Sequence, residues 1–444
     1  MSSCGRVPLE ALEVMSKEER EKCGYFVHEF RHHGIMSDDM TAMFAGAPGK
    51  AILRSAAGLL QKAVQMRMAE ELAADCDLLQ YGALQGEPTF RIQLAKFLTR
   101  RYGTPVHSDN LLCTAGASQG LGFVSSHFFN KGDVVFVEDP TYFLALASFR
   151  MDQQLKVVPV PKDEDGIDTA ELEKKLREVI GDGSPQEGRP FSCMLYLVST
   201  FHNPTSTCTS PERARKIIEI ARRYNVLVIC DDVYNLLSWQ PADEGSGQQY
   251  QSPPRLLTYD NPEDADFKGH VVSNGSVSKF MGPGMRLGWI EASDRIVKML
   301  LKNQLLDSGG SFNHFTSGIV GTLLKSGLLD NHLDDVIDMF KTSVNAIAAV
   351  LKDEMPTEVK YRVPQGGYFF WMELPKSVDV PKLYQLCQEK YKINFAQGKN
   401  FSVNPFFNHC IRIAFSHYAP DQLADGTRKL CQAVKEMMST TSSA

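Results

Sequence analysis

The 444-residue chain has no stretch approaching the roughly 18 consecutive apolar residues that a membrane-spanning helix needs, and its start, MSSCGRVPLE, lacks the apolar core of a secretion signal. It also lacks any block of basic residues, since 47 Lys+Arg stand against 53 Asp+Glu for a formal net charge of −6. Without a broad positive footprint, neither nucleic acid nor membrane is expected as a partner, and a small molecule held at a local site is. No CxxC pair occurs among the ten cysteines, and no internal repeat is present. Cys113, Cys193 and Cys230 sit in apolar strand-like runs, where a reduced thiol acts as a small hydrophobe, so a reducing, cytoplasmic compartment is expected. His28, His32 and His33 near Glu29 have helical i, i+4 spacing but no evident further ligand, so a solvated helix face is expected there and no metal site.

What is present is an alternation of short β-branched runs with helical periodicity, the pattern of a mostly parallel sheet covered by helices. Candidate strands are 110–114, 133–138, 194–198, 226–230 and 271–273. Ser210-Pro211 reads as an N-cap and a first-turn proline, 212–224 as a helix and 226–230 as the strand that follows, half of a βαβ crossover. The stretches 180–190 and 240–266, rich in Gly, Pro and charge, read as a surface loop and a partly mobile insertion. From about residue 307 longer helices dominate, with 365–374 and 410–415 as strands of a smaller α+β unit. The expected division is 1–49 joining the small domain, 50–306 as the large domain and 307–444 as the small one.

An open parallel sheet binds its ligand beyond the carboxyl ends of its strands, so chemistry is sought just after each run. Thr114-Ala-Gly-Ala-Ser-Gln-Gly120 opens an apolar helix and would aim backbone N–H groups at one point, either as an anion site or merely as a packing turn. Asp231 and Tyr234 follow the fourth strand, where a buried carboxylate needs a cationic partner unless Asp231 and Asp232 simply cap the junction. Ser276-Val-Ser-Lys279 and Arg286 combine two hydroxyls, a lysine able to act as nucleophile when desolvated, and an arginine whose planar fork suits phosphate.

Together, Tyr81-Gly82, Gly116-Ala-Ser-Gln119, Asp139-Pro-Thr-Tyr142, Asn203-Pro-Thr205, Asp231-x-x-Tyr234, Ser276-x-Ser-Lys279, Arg286 and Arg412 resemble the ordered signature of the class I/II aminotransferases, pyridoxal 5'-phosphate (PLP) enzymes of fold type I. The resemblance spans Gly46 to Arg412 and is nearest to the branch of α-aminoadipate, kynurenine and multi-substrate aminotransferases. It implies a large PLP-binding domain with a mostly parallel sheet between helices, a small α+β domain, and transfer of an amino group from an L-amino acid to a 2-oxo acid through a lysine Schiff base.

Carried over residue by residue, Lys279 would form the Schiff base and shuttle the substrate proton, and Asp231 would hold the cofactor's ring nitrogen protonated. Tyr234 and Asn203 would bond the ring's phenolate oxygen, and Tyr142 would stack on its face. Gly116, Ala117, Ser118, Ser276, Ser278 and Arg286 would hold the phosphate. Tyr81 would reach the phosphate of a neighbouring subunit, implying a homodimer with shared sites. Arg412 would grip the substrate carboxylate with Asn203 beside it, and Gly46 would lie over the substrate.

Three positions depart from the family pattern. Ser206 stands where glycine is usual and would be strained at positive φ, Gln397 stands where proline is frequent, and Ala117 removes one phosphate-side hydroxyl. Two other functions compete: a β-lyase or other α-carbon chemistry on the same scaffold, and a non-catalytic regulatory protein. Against the second, the 45 residues before Gly46 show no basic recognition helix. Asn274-Gly-Ser276 is formally a glycosylation sequon, expected inside the site where no glycan would fit.

Overall fold

The computed structural model describes residues 39–181, 188–242, 244–245 and 247–442. The histidine cluster at 28–33 and part of the 180–190 loop lie outside them.

Eight strands form the main sheet: β1 (Leu111–Thr114), β2 (Val134–Asp139), β3 (Lys156–Asp163), β4 (Gly166–Ile167), β5 (Cys193–Leu197), β6 (Val226–Asp231), β7 (Val271–Ser276) and β8 (Gly288–Ala292). Their spatial order is β1-β8-β7-β6-β5-β2-β3-β4. The five strands from β7 to β3 pair in parallel, while β8 runs antiparallel to both its neighbours and β4 to β3. Three of these strands were not expected. β3 carries two prolines within its run, β4 is two residues long, and β8 lies within a stretch that reads as a glycine-rich turn.

Alternation along the central strands divides their side chains between two cores. Phe136, Leu195 and Val228 face the layer built from helices α1 (Thr169–Ile180) and α2 (Pro211–Tyr224). Val135, Val137, Tyr196, Leu227 and Ile229 face the larger core, which continues into the C-terminal part. α2 begins as expected, with Ser210 Oγ accepting from the Arg213 N–H at 3.3 Å and Pro211 in the first turn.

The C-terminal part holds the 27-residue helix α3 (Leu328–Glu354) and a four-stranded antiparallel sheet of β9 (Lys360–Tyr361), β10 (Phe369–Glu373), β11 (Ala396–Gln397) and β12 (Cys410–Ala414), in the order β9-β10-β12-β11. β10 is shorter than the expected 365–374 because Gly366 and Gly367 turn the chain tightly over Phe201. Thr41–Ala42 pairs with Ile393–Asn394, so the N-terminal segment is tied to the C-terminal part. Among the described residues no helix is long and apolar enough to cross a membrane.

Within the 240–266 stretch, two side chains tie the chain to the rest of the molecule. Tyr250 Oη donates to Asp338 of α3, and Arg255, 1% exposed, forms a double ion pair with Glu291 of β8 while stacking 3.9 Å from the Tyr102 ring centroid. The polar texture that suggested a free loop is used inward. Removing one member of a buried pair leaves the other charge desolvated, so Arg255→Met should lower stability by about 3–5 kcal/mol in urea denaturation. A change below about 1 kcal/mol would show that Glu291 is relieved by other means.

Candidate active site

The expected chemical positions meet at the carboxyl edge of the main sheet. A cleft of about 190 Å³ is lined by Ala117 and Ser118 after β1, Tyr142 after β2, Asn203 after β5, Asp231 and Tyr234 at the end of β6, and Ser276, Ser278, Lys279 and Arg286 after β7. Parallel strands end on one side, so residues scattered over roughly 170 positions converge without any local signal joining them.

Asp231 is the last residue of β6 and is 8% exposed. Its carboxylate accepts from Tyr196 Oη at 2.9 Å and Asn274 Nδ2 at 3.4 Å, both neutral donors. Burial raises its pKa to about 6, opposed by the Tyr196 hydrogen bond and reinforced by the charge of Asp232. Asp232 faces away, toward Ser199 and Ser273. Neither acid serves merely as a cap.

Lys279 Nζ donates to the Gly46 carbonyl at 3.1 Å and lies 5.6 and 5.2 Å from the ring centroids of Tyr234 and Tyr368. Its pKa is pulled down to about 8, first by burial and then by the charge of Arg412, against the opposing pull of Asp231. The Tyr368 hydroxyl donates to the Lys279 backbone carbonyl, fixing where the side chain starts.

Arg412, on β12, is 4% exposed. Nη1 donates to Asn203 Oδ1 at 2.7 Å and Nη2 to the Phe44 carbonyl at 2.9 Å, while Nε is buried without a hydrogen-bond partner. Phe369 and Phe401 cover the guanidinium at 3.9 and 4.9 Å from their ring centroids, and burial lowers its pKa to about 10. Burial raises the Tyr142 phenol to about 12 and pushes Tyr234 up strongly, keeping both hydroxyls protonated at neutral pH.

At the other end of the cleft, Gly116 caps the 12-residue helix Ala117–Phe128 with φ +90°. A Cβ there would lie 3.0 Å from Arg286 Nη2, so both the backbone conformation and the approach of the guanidinium require glycine. Ser276 Oγ donates to Ser278 Oγ at 2.9 Å and accepts from the Ser278 N–H at 3.1 Å. A helix N-terminus, two hydroxyls and an arginine fork make a cradle for a dianion.

Tyr81 stands outside this arrangement, 80% exposed and away from the cleft. Gly46 and Arg412 reach the site through Lys279 and Asn203 rather than through the cleft wall. A Cβ on Gly46 would lie 2.9 Å from the Phe369 ring. Ser206 does adopt positive φ, +57°, and its hydroxyl donates to the Phe369 carbonyl. Gln397 pairs as an edge strand beside β12. Asn274 is 1% exposed, which excludes a glycan. Sequence reading missed Tyr196, Tyr368, Phe369 and Phe401, and placed Asn274 inside the site without its bond to Asp231. Asn274 pairs in register with Asp231, a relation that only the sheet reveals.

Residues 53–430 match the family described as aminotransferase class I and II. The chain belongs to that family. An aromatic-amino-acid aminotransferase 1 from Thermococcus litoralis is 28% identical over 81% of each chain. The crystal structure of a multiple substrate aminotransferase from Thermococcus profundus superposes with a TM-score of 0.77 at 25% identity, covering 96% of this chain and 98% of the other. The α-aminoadipate aminotransferase LysN from Thermus thermophilus, solved with N-(5'-phosphopyridoxyl)-L-leucine, gives 0.72 at 25%, covering 91% and 94%.

This aminotransferase is therefore a PLP-dependent transaminase, and its cleft fits the cofactor. Asp231 is a buried carboxylate whose hydrogen-bond partners are neutral, which suits a protonated ring nitrogen. The dianion cradle suits the phosphate, and Lys279 has the lowered pKa that nucleophilic attack on an aldehyde needs. Lys279 is protonated below about pH 8 and neutral above, so PLP uptake by the apoprotein should accelerate about tenfold per unit up to about pH 8 and then level off. Stopped-flow absorbance from about pH 6 to 10 checks this; a rate still climbing toward the ordinary lysine pKa of about 10.4 would indicate an unperturbed amine.

Proposed function

We propose that the chain transfers the amino group of an L-amino acid to a 2-oxo acid, with Lys279, Asp231 and Tyr234 as its catalytic residues. The observation that carries this reading is the meeting of buried Asp231 and partly buried Lys279 in one cleft, with buried Arg412 bonded to Asn203 of its wall. Bound PLP supplies an electron sink for the negative charge that develops at the substrate Cα. Asp231 holds the ring nitrogen in its protonated form, and its own burial makes it a stronger base for that task. Lys279 Nζ would take the proton from the substrate Cα and deliver it to C4′ of the bound cofactor. Tyr234 and Asn203 hold the ring's phenolate oxygen, and Tyr142 covers the ring face.

Ala117, Ser118, Ser276, Ser278 and Arg286 hold the phosphate, with Gly116 leaving room for the arginine. The substrate carboxylate exchanges for the Phe44 carbonyl on Arg412, since a carboxylate is the stronger acceptor, while Gly46 keeps the space above open. We also propose a homodimer in which Tyr81 completes the neighbouring phosphate site. Its exposure supports this, together with the exposed Leu79, Leu305 and Phe315 on segments joined by the Ser311 N–H to Ala83 carbonyl bond.

The division into a 50–306 PLP domain and a small domain of 1–49 with 307–444 is supported by the pairing of Thr41–Ala42 with Ile393–Asn394. A cytoplasmic location is supported by eight free cysteines among the described residues.

The test is a donor panel of aromatic L-amino acids, L-2-aminoadipate and L-kynurenine with 2-oxoglutarate as acceptor. At least one donor should turn over. In Arg412→Gln its kcat/KM should fall at least about a hundredfold, the loss expected for a charge-assisted pair of hydrogen bonds. Retained activity in this variant would assign the carboxylate to another cation.

A further inference from the structure

Beneath the Asn203 turn lies a buried polar chain that the catalytic reading leaves unused. Glu138, 1% exposed near the end of β2, accepts from the Val198 N–H at 2.9 Å and faces His202 Nε2 at 3.3 Å. His202, also 1% exposed, meets Thr205 with its other nitrogen: Nδ1 lies 2.8 Å from Thr205 Oγ1 and 3.4 Å from the Thr205 N–H. A backbone N–H aimed at Nδ1 makes that atom the acceptor, so the ring proton sits on Nε2 and points at Glu138. Thr205 Oγ1 is 2.9 Å from Thr207 Oγ1, and Lys162 Nζ donates to Thr207 at 2.7 Å and to Thr205 at 3.3 Å. Hydrogen-bond donation thus runs in one direction, from ammonium through two hydroxyls to an imidazole whose other nitrogen faces a carboxylate.

The turn that this chain supports is strained. Phe201 and Ser206, one residue outside each end of 202–205, have φ of +47° and +57°, conformations that side chains disfavour. Backbone bonds from His202 N–H to the Thr207 carbonyl at 2.8 Å and from Ser206 N–H to the His202 carbonyl at 2.6 Å close it. Asn203 sits at its apex, with Oδ1 accepting from Arg412 at 2.7 Å, and lines the same cleft as Tyr234. One planar amide therefore fixes the arginine assigned to the substrate while forming part of the cleft wall beside the tyrosine assigned to the cofactor.

We propose that His202, braced by Glu138 on one side and by Thr205, Thr207 and Lys162 on the other, is a positioning residue that aims Asn203 at Arg412 within the cleft. It touches neither substrate nor cofactor and acts through the amide. The proposal rests on the roles given to Asn203, Arg412 and Tyr234 above. A residue that served only the fold would affect stability and leave the site's chemistry as it was.

The test uses the holoenzyme with His202→Leu, His202→Gln and Thr205→Val, measuring KM and kcat for the fastest donor of the panel, the visible band of bound PLP, and Tm. His202→Leu removes both nitrogens and should raise the donor KM about tenfold with a smaller effect on kcat, and shift the band. His202→Gln keeps a polar group directed at Glu138 and should recover most of the KM. Thr205→Val keeps the shape of a partly buried side chain while removing its hydroxyl, and should raise KM about threefold even if His202→Leu does not fold. Wild-type turnover with KM and band unchanged in Thr205→Val, or His202→Gln no better than His202→Leu, would overturn the inference alone. Absence of turnover in the wild type would overturn the underlying reading instead.

Discussion

Two charged side chains, Asp231 and Arg412, are buried and a third, Lys279, is partly buried at one site, and the rest of the molecule is arranged so that this is tolerable. An ion buried without compensation costs several kcal/mol, so each is given partners that lower the cost without satisfying it fully. Asp231 receives neutral donors, Lys279 a single carbonyl, and Arg412 an amide, a carbonyl and two aromatic faces. The result is a carboxylate that is more basic than usual and an amine that is less so. These are the properties that cofactor chemistry at neutral pH requires.

The sheet supplies the geometry. Parallel strands β2, β5, β6 and β7 end on one edge, and each contributes a polar turn there. Antiparallel β8 then returns beside β7 and β1. That places the Arg286 turn against Gly116 and converts two glycine-rich segments distant in sequence into one anion cradle. The substrate end is made differently. The 44–46 segment and β12 come from opposite ends of the chain and meet across the Asn203 turn, so the carboxylate grip depends on contact between the main sheet and the C-terminal part.

Strongly patterned elements were legible in the sequence. The five candidate strands fall within about three residues of the observed ends, and the Ser210-Pro211 cap starts α2 as expected, because short β-branched runs and capping chemistry are local signals. The positive φ of Ser206 was legible from the family resemblance, which has glycine at that position. What escaped was register and long-range packing. Nothing near Asn274 announces that it will lie opposite Asp231, nor Tyr196 that its hydroxyl will reach the same carboxylate from β5. Nor does the polar texture of 240–266 announce that Arg255 within it is stacked and paired in the interior. Order along the chain, rather than any single motif, made the site residues readable.

The central claim is that this buried charge arrangement performs reversible amino-group transfer rather than elimination, and its most direct test is a half-reaction. When the PLP-loaded protein is given an excess of its amino acid with no 2-oxo acid present, transfer predicts one equivalent of new 2-oxo acid per active site, no free ammonia, and loss of the PLP band that is restored by adding an acceptor. Continuous release of ammonia over many turnovers, with the band intact, would contradict the account.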